Sequence, residues 1–255
     1  MRFKNHIPNT LTCLNLLCGC IGIVLVFSGK IVAASYLIYA AAVFDFFDGF
    51  AARMLKANSA IGKDLDSLAD MVTFGVLPGM MLMQLFLSVN PGYRFNENLS
   101  FPQMALPYAG MIVIIFSALR LAKFNNDTRQ SESFIGMPTP ANALLISAFP
   151  FIIQSYLTRD VADRNNLLEN FTYQIFTTPS VYIVFCLAMC YLLVAELPLF
   201  ALKFKNFSWS DNKYAFSLLI ISAILLVWIK IAALPVIIVL YLLLSAVKNG
   251  LKAKV

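Results

Sequence analysis

Apolar runs long enough to cross a membrane follow one another along almost the whole chain, and two of them carry aspartates. The runs fall at about 11–27, 31–55, 59–89, 103–124, 138–157, 179–197, 214–229 and 232–247. A hydrocarbon core of about 30 Å asks for about 20 apolar residues per helix. A backbone in lipid must also satisfy its own hydrogen bonds, which leaves helices and closed barrels. The expected fold is therefore all-α, a polytopic integral membrane helix bundle of about eight transmembrane helices. Charged residues make up 13% of the chain and hydrophobic ones 60%, whereas soluble domains carry about 25% charged residues.

The organisation expected is one membrane domain, 1–255, with a six-helix core over about 1–200 and an additional hairpin at about 214–249. Only Lys230-Ile231 divides the last two runs, so they read as a tight hairpin. Ser28-Gly29-Lys30 reads as a turn, Pro8-Asn9-Thr10 as the lead into a first helix at Leu11, and 158–178 as the longest polar loop. The first run has no convincing cleavage site and hydrophobicity resumes at once, so it reads as a span rather than a leader. No repeat of 20–50 residues is apparent. The five cysteines lie in apolar runs and read as small buried residues.

The net charge of +6 raises the question of nucleic acid. Its distribution answers otherwise. With eight spans, 14 of the 19 basic residues fall in segments on the same side as the N-terminus. That bias marks the cytoplasmic face of a membrane protein, with the N-terminus inside and no nucleic acid partner. Asp45, Asp48, Asp66 and Asp70 fall on this side.

Carboxylates are costly in a bilayer and need a reason to be there. At about 100° per residue, Asp45, Asp48, Gly49 and Ala52 share one helix face, and Gly62, Asp66 and Asp70 form a stripe on the next helix. Lys56-Ala57-Asn58-Ser59 is a plausible turn between them, with Asn58 or Ser59 as a cap. Antiparallel packing would bring the four acids together, whereas Asp64 is on another face and reads as a solvated charge. Four convergent carboxylates either hold protons or gather cations. Oxygen-only ligands suit Mg²⁺, Mn²⁺ or Ca²⁺, and paired ions roughly 4 Å apart recur in phosphoryl chemistry. Gly49 and Ala52 allow close approach to the backbone, with Arg53 and Lys63 within reach of phosphate oxygens.

The pattern D-x-x-D-G-x-x-A-R-x8-G-x3-D-x3-D runs without mismatch through Asp45, Asp48, Gly49, Ala52, Arg53, Gly62, Asp66 and Asp70. It resembles the signature of the CDP-alcohol phosphotransferases. The resemblance implies an enzyme in which an alcohol displaces CMP from a CDP-linked donor at a site holding two divalent ions, Mg²⁺ or Mn²⁺. It implies metal ligation by Asp45, Asp48, Asp66 and Asp70, with Asp70 also the catalytic base. It implies a CDP and diphosphate pocket formed by Asn9, Asp48, Gly49, Ala52, Arg53 and Gly62. A homodimer in the cell membrane, with the active site on the cytoplasmic side, is the expected setting.

Within the family the chain is most similar to the membrane-embedded members that join CDP-diacylglycerol to L-serine in phospholipid biosynthesis. Asn9 and the Thr12–Gly19 run, the 66–75 stretch, 118–125 and 136–140 carry that likeness. Lys123 stands where arginine is expected; the charge is kept but two-pronged geometry is not. Arg120 and Lys123 are the candidate acceptor-binding residues, a cation being needed opposite serine's carboxylate. Two other readings stand beside this one. The same chemistry could serve glycerol 3-phosphate or inositol, or the buried acids could belong to an ion-coupled transporter.

Overall fold

The computed structural model describes residues 6–57, 60–96, 98–127, 133–200 and 208–252. Helix α1 (His6–Phe27) starts at His6 rather than Leu11. Pro8 falls in its first turn, where the missing N–H has no intrahelical partner to lose. The chain reverses at Gly29 (φ +76°), with the Lys30 N–H donating to the Leu25 carbonyl at 2.9 Å. Helix α2 (Ile31–Leu55) ends at Lys56, which is left-handed (φ 49°) and donates its N–H to the Ala52 and Arg53 carbonyls. The expected cap at Asn58 or Ser59 lies outside the described residues.

The third apolar run is not one regular helix. It is α3 (Ala60–Asp70), a π-helical segment at Met71–Val76, and α4 (Leu77–Val89). Such widened turns in an otherwise α-helical element cluster at functional sites, and this one begins directly after Asp70. The short helices α5 (Gly92–Phe95) and α6 (Phe101–Ala105) and a 3₁₀ turn at Leu106–Tyr108 precede α7 (Ala109–Asn126). The fourth run is broken because Pro107 has no N–H to give. The Tyr182 hydroxyl repairs the break: it donates to the Pro107 carbonyl and accepts from the Gly110 N–H, each at 3.1 Å.

Strand β1 (Ser133–Ile135) leads into α8 (Thr139–Thr158). The expected polar loop at 158–178 instead contains α9 (Leu167–Thr177), capped by the Asn166 side chain, which accepts from the Leu168 and Glu169 N–H groups. Helix α10 (Pro179–Val194) follows at a bend of 98°. Strand β2 (Pro198–Phe200) pairs antiparallel with β1, Ile135 opposite Pro198. Strands this short carry no readable alternation, so the sequence does not announce them. Helices α11 (Trp209–Ile229) and α12 (Ala233–Lys252) are separated by a 3₁₀ turn at Lys230–Ala232, where Lys230 has φ 52°. They fold back on each other, Ala215 and Leu218 packing with Ile237, Leu240, Tyr241 and Leu244.

Apart from β1–β2 the architecture is all-α, a multi-pass membrane bundle. Six described stretches meet the length and hydropathy of a span, or seven if the bent α9–α10 pair is one. Asn212–Asn249, 38 residues long, counts as one of these, yet it is the α11–α12 hairpin. The difference from eight lies there and in α10, whose 16 residues give only about 24 Å at 1.5 Å per residue.

The centre of the bundle is the third span, Ile61–Val89, 67% buried over its most apolar window, against 17% for Asn212–Asn249 at the periphery. Phe74, Leu77, Met81, Leu82 and Phe86 form its packed face, in one core with Ile146, Phe149 and Ile152 of α8 and Tyr182 and Leu193 of α10. Helix α1 packs along α2, α3 and the π segment. Close approach there depends on Gly19, where an added Cβ would lie 2.5 Å from Thr73 Oγ1. Cys186 and Cys190 are buried as expected, but Cys13 and Cys20 are exposed on α1, and all five cysteines are free.

Candidate active site

The acids meet where the second half of α2 faces the second half of α3. Oxygens of Asp45, Asp48 and Asp66 lie within 4.8 Å of one another. Asp48 is buried, and the Thr12 hydroxyl donates to its Oδ2 at 2.6 Å. Asp70 stands beside this trio and has its own partner: Asn15 Nδ2 donates to Asp70 Oδ1 at 3.1 Å. Asn15 is fully buried, and its carbonyl accepts from the Thr73 hydroxyl at 3.0 Å, inside the π segment. One face of α1 thus orients two of the four acids.

Two cavities flank the cluster. The larger, about 580 Å³, is lined by Asn9, Thr12, Asp48, Gly49, Ala52, Gly62, Lys63 and Asp66. Its size falls in the usual range for a ligand of several rings or groups, about 300–1,000 Å³. Gly49 leaves it open: among the described residues a Cβ there would meet only Arg53 Nη1, at 3.6 Å. The smaller cavity, about 220 Å³, is lined by Asp45, Asp66, Ser67, Asp70, Arg120, Asn125 and the Pro138–Pro140 segment. Asp66 lines both cavities and forms part of the wall between them.

The smaller cavity pairs acids with one cation. Arg120 is 4% exposed, with its guanidinium over the Phe124 ring at 4.9 Å. Its Nε has no hydrogen-bond partner, and Arg120 makes no ion pair among the described residues. A buried guanidinium without an anion is a costly arrangement unless an anion arrives. Asn125 Nδ2 donates to Ser67 Oγ at 2.8 Å, and Lys63 Nζ to the Asn125 carbonyl at 3.4 Å, so α7 is pinned to α3 at this level.

Two residues picked from the sequence line neither cavity. Lys123 is exposed and lines neither cavity. Arg120, Leu121, Phe124 and Asn125 line the smaller cavity, and at 100° per residue their common face is about 130° away from Lys123. Arg53 is exposed and lies at the edge of the larger cavity, its guanidinium beside Gly49. Conversely, Thr12 and Asn15 orient the acids although the motif does not include them. Their three-residue spacing in an apolar helix gives them one face, but only packing sets that face against the acids.

A ring of carboxylate oxygens fits a hard divalent cation and suits neither zinc nor copper. The buried Asp48 and the proximity of three acids favour such a charge, since without it their repulsion is relieved only by protonation.

Fold and site together define an integral membrane protein with an acid cluster placed between a large and a small cavity on one side of the bundle. Residues 5–187 match the CDP-alcohol phosphatidyltransferase family. The chain belongs to that family. It is 35% identical over 151 residues to a CDP-diacylglycerol–serine O-phosphatidyltransferase of Bacillus subtilis, covering 58% of this chain and 76% of that one. A protein of the same name from Methanocaldococcus jannaschii is 32% identical over 199 residues, 77% of this chain and 87% of that one. A third, from Helicobacter pylori, is 28% identical over 246 residues, 94% of this chain and 90% of that one.

Proposed function

We propose that the protein transfers the phosphatidyl group of CDP-diacylglycerol to L-serine, releasing CMP and forming phosphatidylserine. The observation that carries this reading is the pair of cavities sharing Asp66, the smaller one holding a buried arginine without an anion. A group transfer needs two substrates on opposite sides of one reacting phosphorus, and the names borne by the relatives supply the pair.

In this reading the larger cavity takes the CDP moiety. Gly49 and Ala52 leave room for it, Asn9 and Gly62 line its wall, and Lys63 and Arg53 face the diphosphate. Asp45, Asp48 and Asp66, with Asp70 completing the set, would hold two divalent ions, Mg²⁺ or Mn²⁺. Divalent cations at such a site screen the diphosphate and stabilise the departing CMP. Serine enters the smaller cavity with its carboxylate on Arg120. Asp70, held by Asn15, takes the serine hydroxyl proton. The serine oxygen then bonds to the phosphorus bearing the diacylglycerol as its bond to CMP breaks. The basic-residue bias supports a site at the cytoplasmic face of the cell membrane, and family likeness supports a homodimer.

The test offers serine, glycerol 3-phosphate and inositol in turn to the purified protein with CDP-diacylglycerol, with and without EDTA. Serine-dependent CMP release that EDTA abolishes is the expected outcome. Release with a different alcohol only would reassign the acceptor. No release with any alcohol would leave the transporter reading. Arg120→Ala is expected to raise the KM for serine at least tenfold; an unchanged KM would remove Arg120 from the acceptor site.

A further inference from the structure

The C-terminal hairpin lies beyond the family match, which ends at residue 187, and none of its described side chains lines either cavity. A continuous set of contacts nevertheless joins it to the smaller cavity. The Tyr241 hydroxyl of α12 donates to the Phe200 carbonyl at 2.9 Å, and the two rings meet edge to face at 5.1 Å. Asn249 Nδ2 donates to the Pro198 carbonyl. Both acceptors are on β2. That strand pairs with β1, and the pairing continues by one bond, the Gly136 N–H donating to the Leu197 carbonyl at 2.9 Å; the Met137 N–H then donates to the Leu192 carbonyl in the last turn of α10 at 2.8 Å. The next residues are Pro138, Thr139 and Pro140, a wall of the smaller cavity.

The junction is demanding. Gly136 sits at φ +76°, and a Cβ there would lie 2.7 Å from the Leu193 carbonyl oxygen and 2.9 Å from that of Ala195. Met137, 1% exposed, is locked in the main core. On the hairpin side, Ile238 of α12 is buried in the same core. The segment therefore has one anchor in the bundle and one in the hairpin, with β1–β2 between them.

We propose that the α11–α12 hairpin is a brace for the acceptor cavity. Through Tyr241 and Asn249 it holds β2, and through β2 it fixes Gly136–Pro140 at the distance from Asp70 and Arg120 that suits a small acceptor. Tyr241, Asn249 and Gly136 are positioning residues, since none of them lines the cavity. The proposal rests on reading that cavity as the acceptor site.

The test compares steady-state kinetics of the full-length protein and its Tyr241→Phe, Tyr241→Phe/Asn249→Ala and Gly136→Ala variants in detergent micelles containing CDP-diacylglycerol. Tyr241→Phe keeps the ring on Phe200 and loses only the hydroxyl. It is expected to raise the acceptor KM about three- to tenfold, the double variant further, with donor KM and thermal midpoint unchanged. CMP release to water, relative to transfer, is expected to rise in parallel. Gly136→Ala gives the largest effect if it folds, and the two hairpin variants decide the matter if it does not. An acceptor KM that stays put, or that moves together with donor KM and thermal midpoint, overturns the brace. Arg120→Ala separates the two readings. If it raises acceptor KM while the hairpin variants leave it unchanged, the brace fails and the acceptor site stands. If it too leaves acceptor KM unchanged, the cavity is not the acceptor site and both fall.

Discussion

Asn15 Nδ2 donates to Asp70 Oδ1 at 3.1 Å, joining the middle of α1 to the last residue of α3. The bond sets which way the Asp70 carboxylate faces, and Asn15 is itself held because its carbonyl accepts from Thr73 at 3.0 Å. Asn15→Ala is expected to lower turnover roughly tenfold, the worth of one well-placed hydrogen bond, with donor KM unchanged. Asp70→Asn removes the proton acceptor itself and is expected to cost about 10²–10⁴ in turnover. CMP release at saturating donor measures both. Asn15→Ala turnover equal to that of the unaltered protein would mean Asp70 needs no orienting partner.

Gly49 tests whether the larger cavity is a binding site rather than a packing defect. Among the described residues the added methyl of Gly49→Ala meets only Arg53 Nη1 at 3.6 Å, an ordinary contact. The fold should tolerate it, with a thermal midpoint equal to or slightly above the original, since alanine favours helix by about 1 kcal/mol over glycine. Donor KM should nevertheless rise several-fold, because the methyl occupies ligand space. A donor KM that does not change would take the CDP moiety away from this wall.

Cation binding has a readout independent of turnover. A divalent ion that binds only the folded protein stabilises it by about 2.7 kcal/mol at 100 times its dissociation constant. Mg²⁺ or Mn²⁺ should therefore raise the thermal midpoint, and EDTA should reverse the rise. Asp66→Asn removes a ligand from the Asp45, Asp48 and Asp66 trio and should abolish most of the cation-dependent shift. If the shift survives in Asp66→Asn, the ion sits elsewhere.

The α1 contact with the π segment is a stability prediction. At Gly19 a new Cβ would stand 2.5 Å from Thr73 Oγ1 and 3.0 Å from Thr73 Cα. The second atom is backbone, so rotation of the threonine cannot relieve the clash. Gly19→Ala should destabilise the protein by about 1–3 kcal/mol, as overpacking of a close-packed interface does. It should also lower turnover, because the same interface carries the Asn15–Asp70 bond. Equal thermal midpoints would show that α1 can move away without loss.

Much of this protein could be read from its residue order. Helix periodicity puts Asp45, Asp48, Gly49 and Ala52 on one face of α2, and the turn at Lys56 returns the chain so that Asp66 faces them. These are local relationships, set by 100° per residue and by one short connection. Membrane hydropathy is equally local: about 20 apolar residues are enough to demand a helix.

What the order of residues did not decide is every partnership made across the bundle. Thr12 and Asn15 are unremarkable polar residues of α1 until packing sets them against Asp48 and Asp70. Lys123 and Arg120 look equivalent in the sequence, and only the contact face of α7 separates the cavity-lining arginine from the exposed lysine. The β1–β2 pairing joins residues far apart in the chain with three positions each, too few to leave a pattern. Side-chain spacing on one helix is dictated by covalent geometry, whereas the facing of two helices depends on how all the others fill the space around them, and that is settled only when the bundle closes.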